Sequence, residues 1–268
     1  MEEKRMNTIE KNELHDLKIS GSGTSGGGKF DSVKISGSGK IVGDIDCHEL
    51  KISGSGTISG DVKAGYIKTS GSSTIKGDTK AETITTSGSS KYDGSVMAAE
   101  MNTSGSSIVS KDLIFKTFKV SGSCRVGGKI QGGSIKASGS LRVEKDCEVE
   151  AFSSSGSVHI EGLLNADQIR IEINHESSIK EIGGETIEVK HHNSNGLIKQ
   201  VVNFFLQKED CLFSELIEGD EVYLENTKAK LVRGKNVVIG ENCDIDTVEY
   251  SGNLDVKKDS RIGEKVKI

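Results

Sequence analysis

The sequence predicts an all-β fold, a three-sided parallel β-helix solenoid of about 17-residue coils. Three observations carry that prediction. A Ser-Gly-Ser motif recurs with its first serine at Ser20, Ser36, Ser53, Ser70, Ser87, Ser104, Ser121, Ser138 and Ser155, a step of 16 once and of 17 seven times. Apolar residues fall in columns at fixed offsets from that serine, alternating with polar ones, which is the period of a strand with one buried face. The chain of 268 residues has no proline, so no coil interrupts a hydrogen-bond ladder.

The columns define the coil. Three residues before the serine stand Leu17, Val33, Leu50, Ile67, Ile84, Met101, Phe118, Ile135 and Phe152. Five after it stand Ile41, Ile58, Ile75, Tyr92, Val109, Val126, Val143 and Ile160, and nine after it Ile45, Val62, Thr79, Val96, Leu113, Ile130, Cys147 and Leu164. Each unit thus holds three short apolar runs, with glycine at the breaks, where it is expected to supply corner conformations that β-branched residues resist. A hydrophobic content of 33% is low for a globule, but a thin solenoid needs only a narrow core, each coil being covered by its neighbours. Nine clear coils and an irregular tenth through Val189 are expected.

The division along the chain follows. Residues 1–16 read as a charged N-terminal tail and 17–190 as the β-helix. Residues 191–212 read as a loop with an amphipathic helix near 196–208, where Leu197, Ile198, Val201, Val202, Phe204, Phe205 and Leu206 recur at helical spacing opposite Lys199, Gln200, Asn203 and Gln207. Residues 213–268 return to short strands and glycine corners, as two or three less regular coils on the same rod or folded back beside it. A net charge of −5 gives no basic surface for nucleic acid. The start of the chain has no apolar signal segment, no run approaches a membrane span, and five irregularly spaced cysteines fit a reducing compartment, so a cytoplasmic protein is expected.

Units such as "VKISGSGKIVGDI" and "IKTSGSSTIKGDT", with "GD" ahead of an apolar residue, resemble the bactofilins, bacterial polymer-forming cytoskeletal proteins. The resemblance covers about 17–190 and more loosely 213–268. It implies a right-handed β-helix, end-to-end assembly without nucleotide, and a scaffold for membrane-associated, cell-wall or motility machinery. The expected partners are other copies of the chain, then the inner membrane surface or cell-wall and motility proteins. The chain departs from the family in its larger number of coils, its lack of proline-rich tails and its helix.

Candidate sites divide accordingly. The ends of a β-helix are unpaired edges that copies of the same coil can fill. The N-terminal edge is expected to comprise Leu17, Ile19, Val33 and Ile35. Lys18, Lys34, Lys51 and Lys68 form an exposed ladder, resumed at Lys119 and Lys136, with solubility and edge protection as its plainer role. The helix either caps the rod or lies on a membrane or partner. No catalytic, metal or cofactor residues and no small-molecule substrate are expected. The constant step leaves no room for inserted loops, and an outward column of Asp44, Asp61, Asp78, Asp112 and Asp146 is what repetition of one solvated corner produces. The histidines share no ligand spacing, and Cys47, Cys124 and Cys147 fall on inward columns. The alternatives are a capped, non-polymerising adaptor that binds a protein or membrane through its helix or lysine ladder, and a hexapeptide-type acyltransferase suggested by "GKNVVIGENCDID", against which the 17-residue step speaks.

Overall fold

The computed structural model describes residues 14–191 and 210–268. They form one parallel β-solenoid of about 14 turns, with no helix among the described residues. The expected amphipathic helix, from Leu197 to Leu206, lies outside them. Every strand pairing is parallel and joins a coil to the next one along the chain, as in Leu50↔Ile67, Ile67↔Ile84 and Ile84↔Met101. At one interstrand spacing per turn, the stack is roughly 65 Å long.

The core is the set of expected columns. Ile41, Leu50, Ile58, Ile84, Tyr92, Val109, Leu113 and Phe118 are 0% exposed, and the others lie within a few percent, except Leu17 in the first rung, which is half-buried. Burial of each large aliphatic or aromatic side chain contributes about 1.5–3 kcal/mol, and no coil can obtain it without its neighbours. The rod is therefore cooperative along its axis.

Within a turn, hydrogen bonding resolves two strands where the sequence reading draws three runs. One turn is Ser72–Ile75 followed by Thr79–Thr86. The longer strand carries an interruption: Glu82 and Thr83 both face outward between buried Ala81 and Ile84, and Glu82 is skipped in the pairing register.

The corner glycines follow a different rule from the one expected. Among the described glycines, only Gly28 and Gly43 have a positive φ. The serine-motif glycines are required by close approach instead: a Cβ on Gly105 would sit 2.0 Å from the carbonyl oxygen of Gly88 and 2.4 Å from that of Ser87, in the coil beneath.

The C-terminal coils continue the same stack and do not fold back. Ser177–His191 pairs in parallel with Leu212–Leu224, and that strand with Thr227–Ile239. The step from Val189 to Leu224 spans the insertion, and Asn226 closes its base. The Asn226 side-chain amide donates to the Asp210 carbonyl at 3.1 Å and lies 3.3 Å from His191 Nδ1.

Candidate assembly surface

The aspartate column is built by the Gly-Asp repeat. The backbone N–H of Asp61 donates to Asp44 Oδ1, that of Asp78 to Asp61 Oδ1 and that of Ser95 to Asp78 Oδ1, each at 2.8 Å. Lys129 N–H and Leu163 N–H do the same to Asp112 and Asp146. Glycine makes room for the carboxylate: a Cβ on Gly77 would lie 2.3 Å from Asp61 Oδ1. These aspartates are fastened to the next coil, one acceptor per donor, in place of facing one another as an acid–base pair. Lys129, with the Leu163 N–H, holds the Asp146 carboxyl below its usual range.

Inside the rod a second polar row runs through Thr69, Ser73, Ser90, Thr86, Thr103 and Ser107, all buried. Ser73 Oγ donates to Ser90 Oγ at 3.0 Å and Thr86 Oγ1 to the same oxygen at 3.1 Å, and Thr103 and Ser107 bond across 3.0 Å. These hydroxyls satisfy each other where solvent cannot reach. Among the described residues, Thr79 Oγ1 is buried without a hydrogen-bond partner.

Cys47, Cys124, Cys147, Cys211 and Cys243 are all buried and free. Burial pushes the Cys124 and Cys147 thiols up to about 12, and those of Cys47 and Cys243 to about 11. Thiols so far from ionising are packing groups. No group of three His, Cys, Asp or Glu among the described residues is placed to hold a metal ion. No helix among them is long and apolar enough to cross a membrane.

The lysine ladder is a true column: Lys18↔Lys34, Lys34↔Lys51 and Lys51↔Lys68 are register partners. Lys18 and Lys68 are exposed, Lys34 and Lys51 half-buried. Acids in the neighbouring column meet it, with Lys18 to Asp16 at 3.4 Å and Lys51 to Glu49 at 2.6 Å. Ser32 is the main cause of the lowered Asp16 carboxyl, with Lys18 adding to it. The same face runs through Lys119, Lys136, Arg170 and Glu188 to Tyr223, along a shallow groove of about 830 Å³. Lys190 and Arg170 hold the Glu188 carboxyl below its usual range, and the Glu225 carboxylate pushes the Tyr223 phenol up to about 12.

The terminal rungs are the most distinctive surfaces. At the N-terminal end, Leu17–Ile19 pairs only with residues 33–35, and residues 22–30 pair only with the coil that follows them. At the other end, Leu254–Val256 and Arg261–Lys267 have partners on one side alone. These statements hold among the described residues. Of the residues assigned to the N-terminal edge, Leu17 is half-buried and Ile19 is 8% exposed, both in the first rung. Val33 and Ile35 are buried one rung inside, paired with Leu17 and Ile19 on one side and with Leu50 and Ile52 on the other. The sequence reading missed residues 22–30, whose glycines obscure the strand pattern, and it missed Leu254 and Val256, although "VEYSGNLDV" repeats the motif there.

Over 107 residues the chain is 44% identical to YhbF of Bacillus subtilis (strain 168), described as an uncharacterized protein, across 40% of this chain and 42% of YhbF. A second match, 45% identical over 92 residues, is to YhbE of the same organism, also described as uncharacterized, across 34% of this chain and 37% of YhbE. The aligned stretches thus span about two fifths of each of these curated relatives. No family model and no solved structure matches the chain.

Proposed function

We propose that this protein is a structural scaffold that self-assembles end to end through the edges of its solenoid, without nucleotide, in the manner of the bactofilins its repeat resembles. The observation that carries the reading is the pair of terminal rungs, whose strand edges have partners on one side only among the described residues. An uncovered parallel edge is a template for another chain, and edges cut from one repeating coil are mutually compatible. The cross-section is three-sided and right-handed in this proposal, and the outward pair Glu82 and Thr83 supplies the third corner of the turn. The partner is first a second copy, and then the inner face of the cell membrane with wall-building or motility proteins. The protein works in the cytoplasm and carries out no catalysis.

Negative-stain electron microscopy of the purified protein tests this. Filaments or multiples of the single rod are expected, together with their loss in Leu17→Glu, which places a charge on the first rung at a position that is only half-buried. Uniform single rods of roughly 65 Å at all concentrations would overturn self-assembly and favour the capped adaptor. Val33 and Ile35 are unsuited to this test, because a charge at either would disrupt the coil itself.

A further inference from the structure

We infer that two copies of the chain pair side by side and antiparallel, through the outward column that runs from Lys63 to Glu148, with Met97 and Ile114 at the centre of the contact. The surface lies on the side of the rod, and the inference is independent of the end-to-end reading.

The column is set by the strand register. Lys63, Lys80, Met97, Ile114, Gln131 and Glu148 are successive partners on one face, and all are exposed. Met97 is 44% exposed and Ile114 38%. Among the described residues they are the only exposed large apolar side chains that are register partners of each other. Every other member of the column from Lys29 to Asn165 is polar, so the fold itself does not require apolar groups at 97 and 114. The pair stands at one end of a shallow groove of about 620 Å³ that runs along this face from Gly28 past Val62 and Thr79. An apolar pair set in a groove on a polar face is what a docking surface presents.

Charge on the same column names the occupant. On one side of the apolar pair the column is basic, with Lys63 and Lys80. On the other it is acidic, with Glu148, which accepts from Gln131 at 3.2 Å. Pairs of identical chains close most often on a two-fold axis, and two rods lying face to face admit two such axes. An axis along the rods sets every position against itself, Lys63 on Lys63, Lys80 on Lys80 and Glu148 on Glu148, all like-charge contacts. An axis across the rods, passing between the rungs of Met97 and Ile114, sets each rung before it against the equally distant rung after it. Met97 then meets Ile114, Lys80 meets Gln131 and Lys63 meets Glu148, each twice. In the corner column alongside, Asp78 falls opposite Lys129. Asp61 falls opposite Asp146, but each of these carboxylates is already bonded to a backbone N–H of its own chain, and Asp146 also to Lys129. The strip is one strand wide and about 24 Å long. It buries less than the roughly 800 Å² per partner of a standard interface, so a concentration-dependent dimer is expected.

Thiol cross-linking decides the arrangement. Packed β faces stand about 10 Å apart, so a bis-maleimide with a spacer of about that length joins facing positions, and all five native cysteines are buried. Lys63→Cys and Glu148→Cys proteins, one of them mass-tagged, are treated alone and mixed, each also carrying Leu17→Glu to remove the rod-end contact. Cross-linking of unlike copies in the mixture, well above that of either variant alone, is the expected result, because like positions stand about 24 Å apart along the rod in this pairing. The double variant should give a closed dimer and no ladder. Cross-linking of Lys63→Cys chiefly with itself would overturn the antiparallel arrangement. Sedimentation showing single copies at every concentration, with no cross-link in any mixture, would overturn lateral pairing, whether or not the native rods join at their ends in electron microscopy. Ile114→Glu, on an exposed position, should weaken the dimer roughly tenfold or more and leave the melting temperature unchanged. Lys63→Glu alone should also weaken it, and adding Glu148→Lys should restore it. Failure of that rescue would overturn the register.

Discussion

The coils before Ile171 and those after Ser177 form one stack but are held at their corners by different means. In the first region the backbone does it. Serine-motif carbonyls occupy the space a Cβ would need on the next glycine, and each Gly-Asp pair fastens its carboxylate to the coil that follows. In the second region close approach persists, a Cβ on Gly184 falling 2.3 Å from the Ala166 carbonyl oxygen and one on Gly219 2.6 Å from that of Gly184, and side chains share the corners with it. Asn226 and Asn242 turn the corners with φ of 46° and 55°, and Asn242 donates to Asn226 Oδ1 at 3.3 Å. Outside, Arg233 reaches both Glu218 and Glu249, and Arg261 grips both oxygens of Asp244. A corner made of close-packed backbone fixes the length of the coil. A corner made of side chains lets it vary, so the insertion and the shorter coil step of 15, as between Val222 and Val237, both occur there.

The strongest way to break this contrast is at the corner glycines. Gly105→Ala should cost roughly 2–4 kcal/mol, because a backbone carbonyl 2.0 Å from the new Cβ cannot move aside without shifting a whole rung. Gly183→Ala, where the nearest atom is Asn165 Oδ1 at 3.4 Å, should stay within about 0.5 kcal/mol. Gly21→Ala is the internal control: it carries the same motif, in the first described coil, with nothing within 4 Å. Chemical denaturation of the three variants reads the difference, and equal losses at Gly105 and Gly21 would refute close approach as the cause.

A smaller effect is expected at the carboxylates. Asp61→Ala leaves the Asp78 N–H without its acceptor and should cost about 1–2 kcal/mol. Asp244→Ala removes only an exposed ion pair with Arg261 and should cost less than about 1 kcal/mol. A double-mutant cycle on Asp244 and Arg261 gives the pair its own value. If Asp244 proves the costlier of the two, the division between backbone and side-chain corners is misplaced.

The same contrast explains what could be read from the sequence. Columns such as Leu50, Ile67 and Ile84 were legible because a constant step puts chemically similar residues at one offset, and the buried Thr69, Thr86 and Thr103 follow the same parity. The reason for the glycines was not legible, since close approach to Gly88 O involves a coil 17 residues earlier and leaves no mark on φ. The aspartates were read as solvated surface because their acceptor role toward the next coil depends on a distance between turns. At the ends, Val33 and Ile35 resemble Leu17 and Ile19 in sequence. Only the pairing partners show which pair lies in the outer rung.

A gain in stability is expected at Thr79. Its hydroxyl is buried without a partner, and its register neighbours on both sides are Val62 and Val96. Thr79→Val keeps the shape and removes the unsatisfied oxygen, and should stabilise the rod by about 1 kcal/mol. An unchanged or lower melting temperature would mean that the oxygen is satisfied within the polar row.

The smallest effect is that of acid, and it tests how the two regions are tied together on the outside. Asp146, held down by Lys129 and the Leu163 N–H, and Glu188, held down by Lys190 and Arg170, both have folded pKa values below their ordinary 3.8 and 4.5. For such groups the unfolded chain binds protons more readily than the folded one. Their contribution is therefore complete above the ordinary value and is lost as pH falls through it toward the lowered one. Stability should be flat from pH 7 to about 5 and decline below about 4.5. Added salt should weaken the contribution of Glu188 and its exposed partner Arg170, whereas the Asp146 carboxylate keeps its backbone donor. Asp146→Asn should flatten the acid limb more than Glu188→Gln does in high salt. The reverse order would mean that charge pairs, and not the backbone bond, carry the pH dependence of the regular coils.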